Sequence, residues 1–187
     1  MKHYLFSLLA CLFCLSTAAS VTAESTGPAV GSIAPDFKAH NAVTGENTLL
    51  GSQRGKVVIV TFWASWCAPC RRELPILENA QKLVGKDRLT VFAVSFQENP
   101  QAAAALKKIA STWEINVIED RNGWIAGHYA ISSIPHLFII GRDGKVLANH
   151  IGYGDRSLDE LVTDINQALS GATPGEPGVS PPASDST

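Results

Sequence analysis

The sequence predicts one α/β domain with a central mixed β-sheet flanked by helices. Three observations carry this. Nearly continuous apolar, β-branched runs mark strands buried on both faces: Val57-Val58-Ile59-Val60-Thr61-Phe62, and Leu89 to Phe96. Between them, Leu74, Leu77, Ala80 and Val84 recur at helical spacing. Further on, Leu137-Phe138-Ile139-Ile140 and Val146 to Ile151 flank a hairpin turn, Arg142-Asp143-Gly144-Lys145. A β-α-β unit followed by a hairpin gives parallel and antiparallel pairing in one sheet.

The ends of the chain read differently from this middle. Met1-Lys2-His3 is a short basic start, and Tyr4 to Leu15 is mostly apolar. Small residues follow up to Val21-Thr22-Ala23, which suits an export signal of residues 1–23 cut after Ala23. Two other readings stand beside it: an uncleaved membrane anchor, and a lipoprotein in which Leu8-Leu9-Ala10-Cys11 is a lipobox and Cys11 carries the lipid. At the other end, residues 171–187 (GATPGEPGVSPPASDST) hold too little apolar surface to offset ordering entropy and read as a disordered tail. The domain expected between them spans 29–170.

The remaining elements follow from local signals. Pro75 is expected to kink the first helix, because it lacks an N–H and crowds the turn before it. Asn99-Pro100 opens a second helix with body Ala102 to Ala110, Asn capping and Pro in the first turn. A short strand (Val117–Ile118) and a short helix around Gly123 to Tyr129 come next. Ser157-Leu158-Asp159-Glu160 reads as a capping box opening the last helix, with Leu158, Leu161, Val162, Ile165 and Leu169 as its apolar stripe and Gly171 as a left-handed cap.

Composition narrows the function. Fifteen Lys and Arg against 17 Asp and Glu, a net charge of −2 over 187 residues, argue against nucleic acid as a partner. Four cysteines are present, and a signal cut removes Cys11 and Cys14. Cys67 and Cys70 then remain, as Cys-x-x-Cys, in a protein working where disulfides persist.

The expected helix begins near Cys67. Unpaired N–H groups and the helix dipole there favour an anion, so the Cys67 thiolate, the nucleophile of disulfide exchange, is stabilised. Cys70 lies almost one turn deeper and can resolve a mixed disulfide. A structural bridge closing so short a loop would constrain the unfolded chain little. A zinc site needs about four ligands, and once Cys11 and Cys14 leave with the signal no second Cys pair or close His pair remains. A peroxidatic cysteine would have Thr or Ser three residues earlier, where Ala64 stands. The residues read as a redox-active dithiol.

Phe62-Trp63-Ala64-Ser65-Trp66-Cys67-Ala68-Pro69-Cys70 resembles the active-site segment of the thioredoxin superfamily. Gly31-Ser32-Ile33-Ala34-Pro35-Asp36-Phe37 and Arg54-Gly55-Lys56-Val57-Val58 are similar to segments of its peroxiredoxin-like and TlpA/ResA-like branch, and Ser133-Ile134-Pro135 resembles the cis-proline loop. The likeness spans about Val30 to Leu169. It implies a thioredoxin-like fold and an exported thiol–disulfide oxidoreductase in the periplasm that needs no cofactor. Implied partners are a disulfide-containing protein substrate and an inner-membrane thiol electron donor. Several members of the branch reduce apocytochrome c for haem attachment.

The resemblance also assigns residues. Trp66, Ile134 and Pro135 are expected at the substrate-facing surface, and Trp63 is expected to pack. Trp113 and Trp124 carry no motif and default to packing. Archetypal thioredoxins carry a buried Asp where this chain has Thr61, which cannot act as a base. Glu98 is expected to substitute: Ala93-Val94-Ser95-Phe96-Gln97-Glu98 resembles a segment where cytochrome-maturation relatives place an active-site glutamate. A buried Glu has a raised pKa and could exchange protons with Cys70. His136, often Thr in relatives, departs from the pattern. Rival readings are an oxidase or isomerase of the same fold, and a copper-binding assembly factor using Cys67, Cys70 and His136.

Overall fold

The computed structural model describes residues 27–99 and 110–171, with 101, 102, 104 and 108 between them. The expected signal segment, Cys11 and the tail beyond Gly171 lie outside the described residues.

Five strands form the main sheet: β3 (Val57–Trp63), β4 (Leu89–Ser95), β5 (Asn116–Glu119), β6 (His136–Ile140) and β7 (Val146–Ile151), in the spatial order β5-β4-β3-β6-β7. β3, β4 and β5 run parallel, while β6 is antiparallel to both β3 and β7, so the sheet is mixed as expected. All seven residues of β3 and of β4 are buried, the reason both read as unbroken apolar runs rather than alternating ones.

Helix α1 (Ala68–Val84) makes the crossover from β3 to β4. It buries Cys70, Glu73, Leu74, Leu77 and Gln81, one stripe at i, i+3, i+4, i+7 and i+11. It also runs through Pro75, which leaves the carbonyl of Arg71 without its usual helical donor. Alternation along the strands splits the core in two. Val57, Ile59, Val91, Ala93, Leu137 and Ile139 pack with Leu74 and Leu77 of α1. Val58, Val60, Phe62, Val94, Phe138 and Ile140 pack on the opposite face with Phe37, Leu50 and Tyr129.

The smaller elements show where sequence signals are thin. Antiparallel strands β1 (Lys38–His40) and β2 (Asn47–Leu49) were not anticipated. Each has three residues with two exposed, too short for alternation to register. Asn41 closes their turn, its Oδ1 accepting the N–H of Val43 (2.9 Å) and of Thr44 (3.1 Å). After β4, the Asn99 cap is present: Asn99 Oδ1 accepts the Ala102 N–H at 2.7 Å. Helix α2 (Trp124–His128) is held by buried Asp120, whose carboxylate accepts the N–H groups of Ile125 and Ala126 at 3.2 and 2.8 Å.

The last helix, α3 (Asp155–Ser170), begins before Ser157 rather than at it. Gly154 is its N-cap, and Ser157 Oγ reaches back to accept the Gly154 N–H at 2.6 Å. The hydroxyl therefore caps from the third helical position, a reciprocal use that Ser-x-x-Glu does not reveal by itself. Leu161, Ile165 and Ala168 are buried and Val162 is exposed, so the buried stripe is narrower than the sequence pattern. Gly171 has φ 86°, the left-handed cap expected.

Leu77 is fully buried between α1 and the sheet. Leu77→Ala is expected to lower unfolding stability by about 3 kcal/mol, measured as a shift in urea midpoint at unchanged slope.

Candidate redox site

The site forms where β3 ends. Trp63, the last residue of the strand, is buried against Trp113 with ring centroids 5.7 Å apart, and its carbonyl accepts the Phe96 N–H at 2.8 Å. The chain then turns tightly, the Cys67 N–H donating to the Ala64 carbonyl at 3.0 Å. Cys67 is the N-cap of α1, and its Sγ lies 3.2 Å from the Cys70 N–H. Cys67 and Cys70 are joined by a disulfide. Cys67 is 5% exposed and Cys70 is 0% exposed, so what solvent access the pair has belongs to Cys67. At a helix N-terminus with access, Cys67 suits the attacking role, and the enclosed Cys70 suits resolution.

A buried carboxylate stands beside this pair, and the sequence reading did not single it out. Glu73 follows Cys70 by three residues, which places both on one face of α1. It is 2% exposed, and its Oε2 accepts the Thr61 hydroxyl at 2.9 Å. Thr61 occupies the strand position where archetypal thioredoxins carry Asp. The acid is therefore present at that place, but it comes from the helix and the strand supplies only a hydroxyl. Burial pushes the Glu73 carboxyl up to about 7, against the smaller opposing effect of the Thr61 hydrogen bond. The available signal was a charged residue inside the otherwise apolar stripe Cys70, Leu74, Leu77.

Glu98 is only half-buried. Its carboxylate accepts both the backbone N–H of Ser65 and the Ser65 hydroxyl, the latter at 2.9 Å. The contact it makes is with the active-site loop. Arg71 Nη1 donates to the Ser65 carbonyl at 2.7 Å, and the Arg72 guanidinium lies 5.4 Å from the centre of the Tyr153 ring.

The residues expected to face substrate differ in their exposure. Trp66 is 59% exposed. The Ile134–Pro135 peptide is cis, with Ile134 half-buried and Pro135 buried. The Pro135 carbonyl accepts the Gly152 N–H at 2.8 Å, which ties this loop to the one after β7. Trp124 departs from its default: it is 48% exposed and lies against His128, ring centroids 4.0 Å apart and planes tilted by 38°, rather than in the core.

His136 goes elsewhere. It stacks on Phe138 at 4.7 Å, on the face opposite the dithiol, and its Nε2 pairs with Asn149 Oδ1 at 2.7 Å. Burial lowers its pKa, outweighing the Asn149 contact. Residues 136 and 138 share a face by strand alternation, whereas Leu137 turns toward α1. Among the described residues no group of three or more His, Cys, Asp or Glu could hold a metal ion, so the copper reading of Cys67, Cys70 and His136 finds no assembled site.

A family profile described as Redoxin matches residues 29–169, three quarters of the chain. The chain belongs to the redoxin family. Among curated redoxin relatives, the Bacillus subtilis thioredoxin-like protein YneN is 33% identical over 145 residues, 76% of this chain and 84% of that one. The thiol-disulfide oxidoreductase ResA of Geobacillus thermodenitrificans is 32% identical over 125 residues, 66% of this chain and 70% of that one. Among solved structures, a candidate thiol:disulfide interchange protein DsbE from Chlorobium tepidum superposes with a TM-score of 0.68 at 30% identity, covering 76% of this chain and 99% of that one. These likenesses make this redoxin a thiol–disulfide oxidoreductase of the thioredoxin superfamily, TlpA/ResA-like, with a thioredoxin-like fold.

The raised Glu73 pKa makes stability depend on pH. The folded carboxyl holds its proton up to about 7, whereas the unfolded one loses it near 4.5. This stabilisation is therefore complete below pH 4.5 and is lost as pH rises through 7. For the oxidised protein the loss is on the order of 3 kcal/mol. Urea unfolding across this range is expected to show that decline in wild type and a flatter profile in Glu73→Gln.

Proposed function

We propose that this protein is an exported reductant of protein disulfides in the periplasm, with apocytochrome c among its substrates. The observation that carries the reading is the pairing of a nearly enclosed Cys67–Cys70 couple at a helix N-terminus with a buried acid whose pKa lies near 7. The Cys67 thiolate attacks a substrate disulfide, forming a mixed disulfide and expelling one substrate thiolate, which takes up a proton from water. Cys70 then gives its proton to the Glu73 carboxylate. The Cys70 thiolate attacks Cys67 Sγ, which closes the enzyme disulfide and releases the second substrate thiolate, protonated in turn from Glu73. Two electrons pass from enzyme to substrate, and a membrane thiol donor restores the dithiol.

Glu73 is preferred to Glu98 as the proton carrier on grounds of environment. A carboxyl titrating near 7 can accept and return a proton at neutral pH, and the two oxygens of Glu98 are already engaged by Ser65. Exposed Trp66 and the Ile134–Pro135 loop form the surface on which the substrate chain lies, with the Ile134 backbone available for strand-like pairing. The proposed tether is the apolar segment 1–23 kept uncleaved, or a lipid on Cys11.

Three measurements test this. Cys70→Ser is expected to accumulate a mixed disulfide with a disulfide-bonded substrate such as insulin, and Cys67→Ser is not; trapping by the reverse variant would overturn the roles. Glu73→Gln is expected to slow resolution roughly a hundredfold at pH 7 while leaving mixed-disulfide formation nearly intact. Equilibration of the couple against glutathione is expected to give a potential near that of thioredoxin, about −270 mV, and a value near −120 mV would reverse the direction.

A further inference from the structure

Ser65 lies two residues before Cys67, and ionic side chains engage all three of its hydrogen-bonding groups. Its N–H and its hydroxyl both donate to Glu98, and its carbonyl accepts Arg71 Nη1 at 2.7 Å. The two partners come from different elements. Glu98 belongs to the loop after β4, 33 residues further along, and Arg71 to the first turn of α1. The same loop also meets the next residue, since the Trp66 indole N–H faces the Gln97 carbonyl at 3.5 Å.

The backbone bears a cost to present Glu98 in this way. Gln97 sits at φ 54°, a left-handed conformation that residues with a Cβ disfavour. Such strain persists only where the surroundings hold it. The contacts that meet this segment are those of Glu98 with Ser65 and of the Gln97 carbonyl with the Trp66 indole. None of these contacts uses a cysteine sulfur, so none of them requires the Cys67–Cys70 bond itself.

We propose that Glu98 and Arg71 are positioning residues, which clamp Ser65 between the loop after β4 and helix α1 and keep the Cys67 sulfur of the reduced protein aligned for attack on a substrate disulfide. The inference rests on the disulfide-exchange reading of the site. Displacement at sulfur is geometrically demanding, so loosening the loop that carries the nucleophile slows the step even when the thiolate is fully formed.

The test is the rate at which the reduced protein opens a model peptide disulfide, followed against pH up to the thiolate plateau, with urea unfolding of every variant in parallel. Glu98→Ala is expected to lower the plateau rate about tenfold. Glu98→Gln is expected to recover most of that loss, because its amide oxygen can still accept the Ser65 N–H and its amide group can donate to the Ser65 hydroxyl. Adding Ser65→Ala to Glu98→Ala is expected to cost nothing more, since the partner is already gone. Three results overturn the clamp: an unchanged plateau in Glu98→Ala, a Gln variant as slow as Ala, or additive losses in the double variant. A loss of urea stability in Glu98→Ala with an unchanged rate reduces the contact to a structural one and also overturns it. A wild-type protein that opens no disulfide refutes the activity itself, a result distinct from failure of the clamp.

Discussion

The burial of β3 on both faces is the constraint on which the rest depends. A strand enclosed by parallel and antiparallel neighbours, with apolar side chains filling both faces, has one register and one place to end. That end is Trp63, fixed by Trp113 and by the Phe96 N–H. Everything reactive follows within a few residues: a tight turn, then Cys67 as the cap of α1. The helix dipole acts on the sulfur because the sheet determines where the helix begins.

The same enclosure explains the division between the two glutamates. Glu73 is taken into the core with the Thr61 hydroxyl as its partner, so desolvation dominates and the proton is held to about neutral pH. Glu98 is half-buried and meets two donors on one residue. One carboxyl is set up to change protonation state, and the other is set up to keep contacts. Residue type does not distinguish them; solvent access and partner count do.

Much of this was legible in the chain. The unbroken runs of β3 and β4 announced double burial, and Arg142-Asp143-Gly144-Lys145 announced the hairpin turn, where Gly144 has φ 80°. The Cys67–Cys70 pair was legible because so short a spacing at a helix start serves chemistry better than scaffolding. The losses have physical causes. β1 and β2 are too short to show a period, and they are held by pairing with one another and by ties to β5 such as the Ala42 N–H to the Val117 carbonyl. The start of α3 lies earlier than Ser-x-x-Glu suggests because the Ser157 hydroxyl can cap from either of two positions, and here it bonds back to the Gly154 N–H.

The sequence by itself determined the layered α/β plan, the location of the dithiol and its place at a helix N-terminus. These rest on local periodicity and on residues adjacent in the chain, where propensity and spacing act directly. Only the tertiary structure decided which acid stands beside the cysteines and which one grips their loop. Both assignments depend on contacts across distant segments, Thr61 with Glu73 and Ser65 with Glu98, and on how much water each carboxylate keeps. Desolvation belongs to the folded surroundings and not to the residue, so no reading of spacing alone could have ranked Glu73 above Glu98.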